Sequence, residues 1–136
     1  MLTSRTMNRR HLLLLAGVQP ALALVACGKK NKPSAAALKP GARVLALGDS
    51  LTVGYGAAPE QSWPTVLAQL TGWQIDNEGV NGDTSAGALQ RLSALLAAGS
   101  YDAVLVGIGG NDMLRGMSQQ ATRDNVAAIV RAALAH

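Results

Sequence analysis

The sequence contains one cysteine and no uninterrupted apolar run of the length that crosses a bilayer as a helix. A single cysteine excludes an intramolecular disulfide framework. The apolar stretch at residues 12–26 is shorter than the about 20 residues that a spanning helix needs, and Pro20 interrupts it, so a transmembrane anchor is the weaker interpretation. The sequence also has no metal-ligand cluster, Walker-type loop or internal repeat, and it therefore implies no cofactor and no metal site.

Acidic residues are missing from the first 40 residues of the chain. Seven of the twelve Lys and Arg residues precede Gly41, and all eight Asp and Glu residues follow it. From Gly41 onward five basic and eight acidic residues give a net charge of −3, although the whole chain carries +4. The basic character therefore belongs to the N-terminal segment and not to a binding face, which excludes nucleic acid as the expected partner.

Residues 7–26 have the layout of a bacterial signal peptide, with basic residues at 7–11 followed by the apolar stretch. The sequence LVACG at residues 24–28 resembles the lipobox, in which the cysteine becomes the first mature residue and carries lipid. We therefore expect a lipoprotein signal peptide at 1–26, lipid on Cys27 and a tether at 27–40. The expected location is the periplasmic or cell-surface side of a membrane, the outer membrane in a Gram-negative cell. An ordinary cleavage site with an incidental cysteine is the alternative, and Arg9-Arg10 leaves Tat export open beside Sec.

Predicted strands and helices alternate from residue 41 to residue 136, and the chain is long enough for one domain. Aliphatic runs predict strands at residues 43–47 and 102–108, and the weaker pattern at 73–77 is interpreted as a second strand between them. Helical spacing predicts helices near 62–71 and 84–98 and from 118 onward. This order predicts an α/β sandwich with a parallel sheet and right-handed crossovers. The near-continuous hydrophobicity of the third strand indicates burial on both faces, although its outer edge would be bare.

Apolar side chains at helical spacing predict the helix faces that pack on the sheet. These faces are Val66, Leu67 and Leu70 in the first helix and Leu89, Leu92, Leu95 and Leu96 in the second. Asp83 precedes the second helix, and we expect it to cap the N-terminus of that helix.

Three positions that suit acyl-transfer chemistry follow the three predicted strands. They are Ser50, Gly82 and Asn111. The carboxyl ends of parallel strands share one edge of a sheet, so we expect the three to lie close together. A serine hydroxyl can serve as nucleophile, while the backbone N–H groups of Ser50 and Gly82 and the Asn111 side-chain amide can bind an oxyanion.

The blocks around these residues resemble the SGNH (GDSL) hydrolase family, and within it the bacterial periplasmic esterases with thioesterase, lysophospholipase and arylesterase activities. The blocks are GDSL at 48–51, NGDTS at 81–85 and GGND at 109–112 with LRG at 114–116. The resemblance covers residues 43 to about 134. It implies Ser50 as nucleophile, Gly82 and Asn111 as oxyanion donors, and Asp49 and Asp112 as supports for their loops. It also implies a flavodoxin-like fold with a five-stranded parallel sheet, of which this chain would hold the first three strands.

Each of these residues also has a purely structural interpretation. Ser50 could cap a helix, Gly82 could be a turn glycine, and Asn111 could be a turn or cap residue. The presence of three blocks in order, each after a predicted strand, favours the catalytic interpretation.

The family's catalytic Asp-x-x-His is missing from this sequence. Ala133 stands where the Asp would precede His136, so we interpret His136 as unrelated to catalysis. We therefore expect an N-terminal part of an ester hydrolase that acts on small acyl esters and is close to inert as written. The alternatives are a non-catalytic surface lipoprotein or binding module on the same fold and, less favoured, a phosphate-binding turn at residues 48–52.

Overall fold

The computed structural model describes residues 37–136, so the expected signal peptide, Cys27 and most of the tether lie outside the described residues. The strands are β1 (Arg43–Gly48), β2 (Gln74–Gly79) and β3 (Ala103–Gly107). The helices are α1 (Ser50–Val53), α2 (Trp63–Thr71), α3 (Ser85–Ala97), α4 (Gly110–Leu114) and α5 (Gln119–Leu134), with a 3-10 turn at Pro59–Gln61. Among residues 37–136, no helix is long and apolar enough to span a membrane.

The three strands form a parallel sheet in the order β2-β1-β3, with helices between them. This confirms the predicted α/β sandwich and places β1 at the centre of the described sheet. Gly48, the last residue of β1, pairs in register with Gly79 of β2 and Gly107 of β3. All three strands therefore end at the same level, and the turns that follow them meet on one edge of the sheet.

The core forms where α3 and α5 pack on the central strand. Leu45 and Leu47 of β1 are fully buried and cluster with Leu92 of α3 and Ile129 of α5. The predicted apolar face of α3 is confirmed, since Leu92 and Leu96 are buried and its other two leucines pack partly buried against the same cluster. Thr84 caps the N-terminus of α3 and Ser118 that of α5, and the side-chain oxygen of each accepts a hydrogen bond from the first turn of its helix.

Two burial predictions are wrong. β3 is only half-buried, and Val106 is 36% exposed, because within residues 37–136 this strand has a neighbour on one side only. The bare edge expected for this strand is thus present in the described sheet. The stripe on α2 is also largely exposed, with Val66 at 39% and Leu70 at 79%, and the apolar residue of α2 that is buried is Pro64 in its first turn.

Candidate active site

Ser50 lies at the start of a very short helix immediately after the central strand. Asp49 is the residue that caps this helix, because its Oδ1 accepts a hydrogen bond from Leu51 N–H at 3.0 Å. Asp49 is 5% exposed, which fits the supporting role expected for it, while Ser50 remains partly exposed. The interpretation of Ser50 as a helix cap is therefore wrong: Ser50 is the first helical residue, with its side chain left for other contacts.

Glycines at the strand ends allow α1 to lie directly against the sheet. A Cβ built on Gly79 would stand 2.3 Å from the Val53 backbone nitrogen and 2.9 Å from the Asp49 carbonyl oxygen. A Cβ on Gly48 would overlap the side chain of Thr52, which is 1% exposed. Any larger residue at these two positions would displace α1 and with it the serine.

Gly82 lies in the turn after β2 with a φ of +73°, a left-handed conformation that favours glycine. Asp83 N–H closes the turn on the Val80 carbonyl at 3.1 Å, and the exposed Arg115 donates from Nη2 to the Gly82 carbonyl at 2.7 Å. Within residues 37–136, the N–H groups of Gly82 and Ser50 have no hydrogen-bond acceptor. Both donors are thus unused by the fold.

Asn111 belongs to α4, the short helix that begins where β3 ends. Its Nδ2 donates to the Asp83 carbonyl oxygen at 2.9 Å. This bond joins the turn after β3 to the residue that directly follows Gly82. One amide proton of Asn111 is used in this bond, and the other is left for a ligand.

Asp112 anchors α4 to the neighbouring helices. It is 1% exposed, and its carboxylate accepts hydrogen bonds from Ser85 N–H at 2.8 Å, from Ser85 Oγ and from Thr122 Oγ1 at 3.2 Å. Asn125 Nδ2 donates to the same Ser85 hydroxyl at 3.0 Å. Burial by itself would raise the pKa of Asp112, but the bonds from Ser85 and Thr122 outweigh it and hold the pKa below its ordinary value. The network fixes the helix that carries Asn111.

Asp83 does not cap α3, and the prediction that it does is wrong. Thr84 is the N-cap and accepts from Gly87 N–H, while the Asp83 carboxylate accepts from Arg91 Nε at 2.9 Å. Arg91 also donates from Nη2 to the Gly48 carbonyl at 3.0 Å. The sequence interpretation missed Arg91, although a single charged residue among the apolar and small residues of α3 was a signal that could have indicated a buried partner.

The space beside the serine is apolar on one side. A cavity of about 390 Å³ borders Asp49 and has Leu51, Trp63 and Ile108 in its wall. His136 is not in the wall of this cavity; it borders a different one, which it shares with Asp102 and Val106 along β3. In the described part of the chain, no group of three His, Cys, Asp or Glu residues is placed to hold a metal ion.

Comparison with known proteins identifies the family. Residues 46–136 match the model of the GDSL-like lipase/acylhydrolase family. The chain belongs to this family. It is 36% identical over 97 residues to esterase TesA of Pseudomonas aeruginosa, which covers 68% of this chain and 48% of the relative. It is 40% identical over 92 residues to thioesterase 1/protease 1/lysophospholipase L1 of Escherichia coli, which covers 65% of this chain and 43% of the relative.

Solved structures of GDSL esterases share the fold. AlinE4, an SGNH-hydrolase family esterase, aligns with a TM-score of 0.62 at 35% identity, over 70% of this chain and 54% of AlinE4. A crystal structure of TesA aligns with a TM-score of 0.66 at 36% identity, over 68% of this chain and 54% of TesA. The predicted family and fold are confirmed, and the chain spans about half the length of the curated relatives it matches.

Proposed function

We propose that this GDSL-family chain carries the nucleophile and the oxyanion donors of a serine ester hydrolase. Ser50 is the proposed nucleophile, and its N–H, the Gly82 N–H and Asn111 Nδ2 are the proposed donors. The observation that carries the proposal is the 2.9 Å bond from Asn111 Nδ2 to the Asp83 carbonyl. It joins the second and third sequence blocks next to Gly82, on the edge of the sheet where Ser50 begins α1.

The proposed reaction is acyl transfer to serine followed by hydrolysis. Ser50 Oγ attacks the carbonyl carbon of the ester and loses its proton to a base, and the negative charge that develops on the carbonyl oxygen is bound by the three donors. Collapse of this intermediate breaks the bond to the alcohol or thiol, which leaves with a proton. Water then attacks the acyl-serine, releases the acid and returns the proton to Ser50.

The base is not among residues 1–136, because the family's Asp-x-x-His does not occur in them. In subtilisin, removing the histidine alone lowered turnover by about 10⁶, and the oxyanion hole with substrate binding retained about 10³–10⁴ over water. We therefore propose that hydrolysis at a useful rate requires an Asp-x-x-His in addition to these residues, and that the 136 residues alone are close to inert.

Small acyl esters and thioesters are the proposed substrates. Relatives named as thioesterase, lysophospholipase and arylesterase support this class, and the apolar cavity beside Asp49 offers room for an acyl or aryl group. The chemistry assigned to Ser50 needs no cofactor. We further propose an exported protein held at a membrane by lipid on Cys27, on the basis of the lipobox-like sequence LVACG.

A non-catalytic binding module on the same fold is the second candidate, favoured by the missing Asp-x-x-His. The phosphate-binding alternative is weaker, since the Asp49 carboxylate already accepts the Leu51 N–H at the start of α1 and would repel an anion.

Hydrolysis assays separate the catalytic candidate from the binding module. The longest polypeptide that the gene encodes is assayed with an acyl thioester and an aryl ester, beside the Ser50→Ala variant and a Ser100→Ala control in the exposed loop before β3. We expect hydrolysis that Ser50→Ala abolishes and Ser100→Ala leaves unchanged. Absence of hydrolysis in the unmodified polypeptide would favour the binding module.

A further inference from the structure

Arg91 connects two of the strand-end turns with one guanidinium group. Its Nε donates to Asp83 Oδ2 at 2.9 Å, and its Nη2 donates to the Gly48 carbonyl at 3.0 Å. The Arg91 side chain is 23% exposed and the Asp83 side chain 10% exposed. Because the guanidinium plane is rigid and its donors are fixed in direction, the two contacts set the position of the Asp83 carboxylate relative to the end of β1.

The position of Asp83 affects Gly82 and Asn111, the two residues proposed to bind the oxyanion together with Ser50. Its backbone directly follows Gly82, so a fixed Asp83 limits how the Gly82 N–H can turn. Its carbonyl oxygen is the acceptor of the Asn111 Nδ2 bond at 2.9 Å. The second acceptor of the Arg91 guanidinium group is the carbonyl of Gly48, which lies two residues before Ser50. One ion pair is thus in contact with all three blocks of the site.

We propose that Arg91 is a positioning residue that holds Ser50, Gly82 and Asn111 in the arrangement that an oxyanion requires. The inference rests on the proposed function, because it concerns the geometry of the same donors. Arg91 acts through Gly48 and Asp83 and does not itself contact the reacting atoms.

The Arg43–Asp76 ion pair provides a matched control. It joins the same residue types at 2.8 Å, with side chains 43% and 38% exposed. Arg43 begins β1 and pairs in register with the start of β2, so this ion pair lies at the opposite end of the sheet from Ser50. Changes at Arg43 therefore report the general effect of losing an Arg–Asp pair in this fold.

Nuclear magnetic resonance of the 136-residue chain tests the positioning directly. The probes are the backbone amides of Ser50 and Gly82 and the side-chain amide of Asn111. We expect Arg91→Gln to shift all three signals. Arg91→Lys should shift them too, since an ammonium group lacks the planar fork that binds both partners in fixed directions. Arg43→Gln should leave them in place. If the three signals in the Arg91 variants move no more than in Arg43→Gln, the proposal is overturned.

Two further variants keep the test decisive. If Arg91→Gln does not fold, Arg91→Lys retains the charge, and Asp83→Asn keeps the shape of the partner while removing the ion pair. Each is expected to reproduce the shifts. Unmoved signals in both would overturn the proposal.

Kinetics on the longest polypeptide that the gene encodes provide a second readout. A misplacement of about 1 Å costs about 10²-fold in rate, so we expect Arg91→Gln to lower kcat by about 10²-fold with KM little changed. A lower melting temperature with unchanged kcat would show a purely structural role and overturn the proposal. Ser50→Ala in the same assay separates the two claims. Activity that survives it refutes the proposed function, and the resonance shifts then decide on Arg91 alone.

Discussion

The buried carboxylate of Asp112 provides the most quantitative prediction for the fold around the site. Asp112→Asn keeps the size of the side chain but replaces one acceptor oxygen with an NH₂ group. The carboxylate accepts from Ser85 N–H, Ser85 Oγ and Thr122 Oγ1, so the variant deprives all three donors of a charged acceptor, and its NH₂ group can face the two hydroxyls only if they turn to accept. Hydrogen bonds to charged groups contribute about 1.5–3 kcal/mol each, and we expect the free energy of unfolding to fall by about 2–4 kcal/mol at neutral pH.

The loss should depend on pH in a direction set by the lowered pKa of Asp112. Because the folded-state pKa lies below the unfolded-state value, the ionised carboxylate stabilises the fold fully above the unfolded pKa of 3.8. That contribution is lost as the pH falls through the folded pKa. The difference in unfolding free energy between wild type and Asp112→Asn should therefore narrow in acid, over the range from about pH 5 downward.

Urea unfolding followed by circular dichroism, at neutral pH and at steps into acid, measures this difference. Asp124→Asn is the control, since Asp124 is exposed on α5 and its carboxylate, within residues 37–136, accepts a side-chain hydrogen bond from Gln120 alone. It should follow the wild-type curve at every pH. The reasoning would be refuted if the difference in unfolding free energy between wild type and Asp112→Asn stayed constant from neutral pH into acid. It would also be refuted if the variant were as stable as wild type.

Two further substitutions test the packing and the chemistry of the site. Gly79→Ala places a methyl group against the backbone of α1, so we expect a loss of about 1–3 kcal/mol in urea unfolding, whereas Gly99→Ala meets only the flexible end of Arg43 and should cost less. Equal losses of unfolding free energy in the two variants would show that α1 moves to accommodate the methyl group at little cost. Asn111→Ala removes one proposed oxyanion donor, and kcat for ester hydrolysis by the longest encoded polypeptide should fall about 10²–10³-fold with KM little changed. An unchanged kcat would remove Asn111 from the proposed site.

The positions of the three proposed site residues could be predicted because they depend on simple geometry. The aliphatic run of β1 and the strands paired with it end in register at Gly48, Gly79 and Gly107, and this level edge follows from parallel pairing. The turns after the strands then meet whatever their detailed conformation. This is why Ser50 and Asn111 could be assigned to one edge of the sheet without knowledge of any contact between side chains.

The contacts that adjust the site could not be predicted, because they depend on partners distant in sequence. Asp83 and Thr84 are both good helix-capping residues, and local sequence does not choose between them. In the structure Thr84 is the cap, while the Asp83 carboxylate accepts the Thr84 N–H with one oxygen and Arg91 Nε, eight residues away, with the other. The helix α1 that starts at Ser50 has four residues, too few for helical periodicity to be visible in the sequence.

The exposure of β3 was mispredicted for a similar reason. Strand hydrophobicity shows that both faces are suited to burial, but it does not identify the elements that cover them. Val104 packs partly buried against the core cluster, whereas Val106 is 36% exposed. Burial of an edge strand is a property of its neighbours as much as of its own residues.

Covalent labelling of Ser50 tests the central claim most directly. A fluorophosphonate reacts with serine nucleophiles that have an activating base and an oxyanion site. The longest polypeptide that the gene encodes is treated with the reagent, digested and mapped by mass spectrometry. The account predicts a single phosphonylated site at Ser50 that disappears in Ser50→Ala. An unlabelled Ser50 in the unmodified polypeptide, or a label that persists in the Ser50→Ala variant, would contradict it.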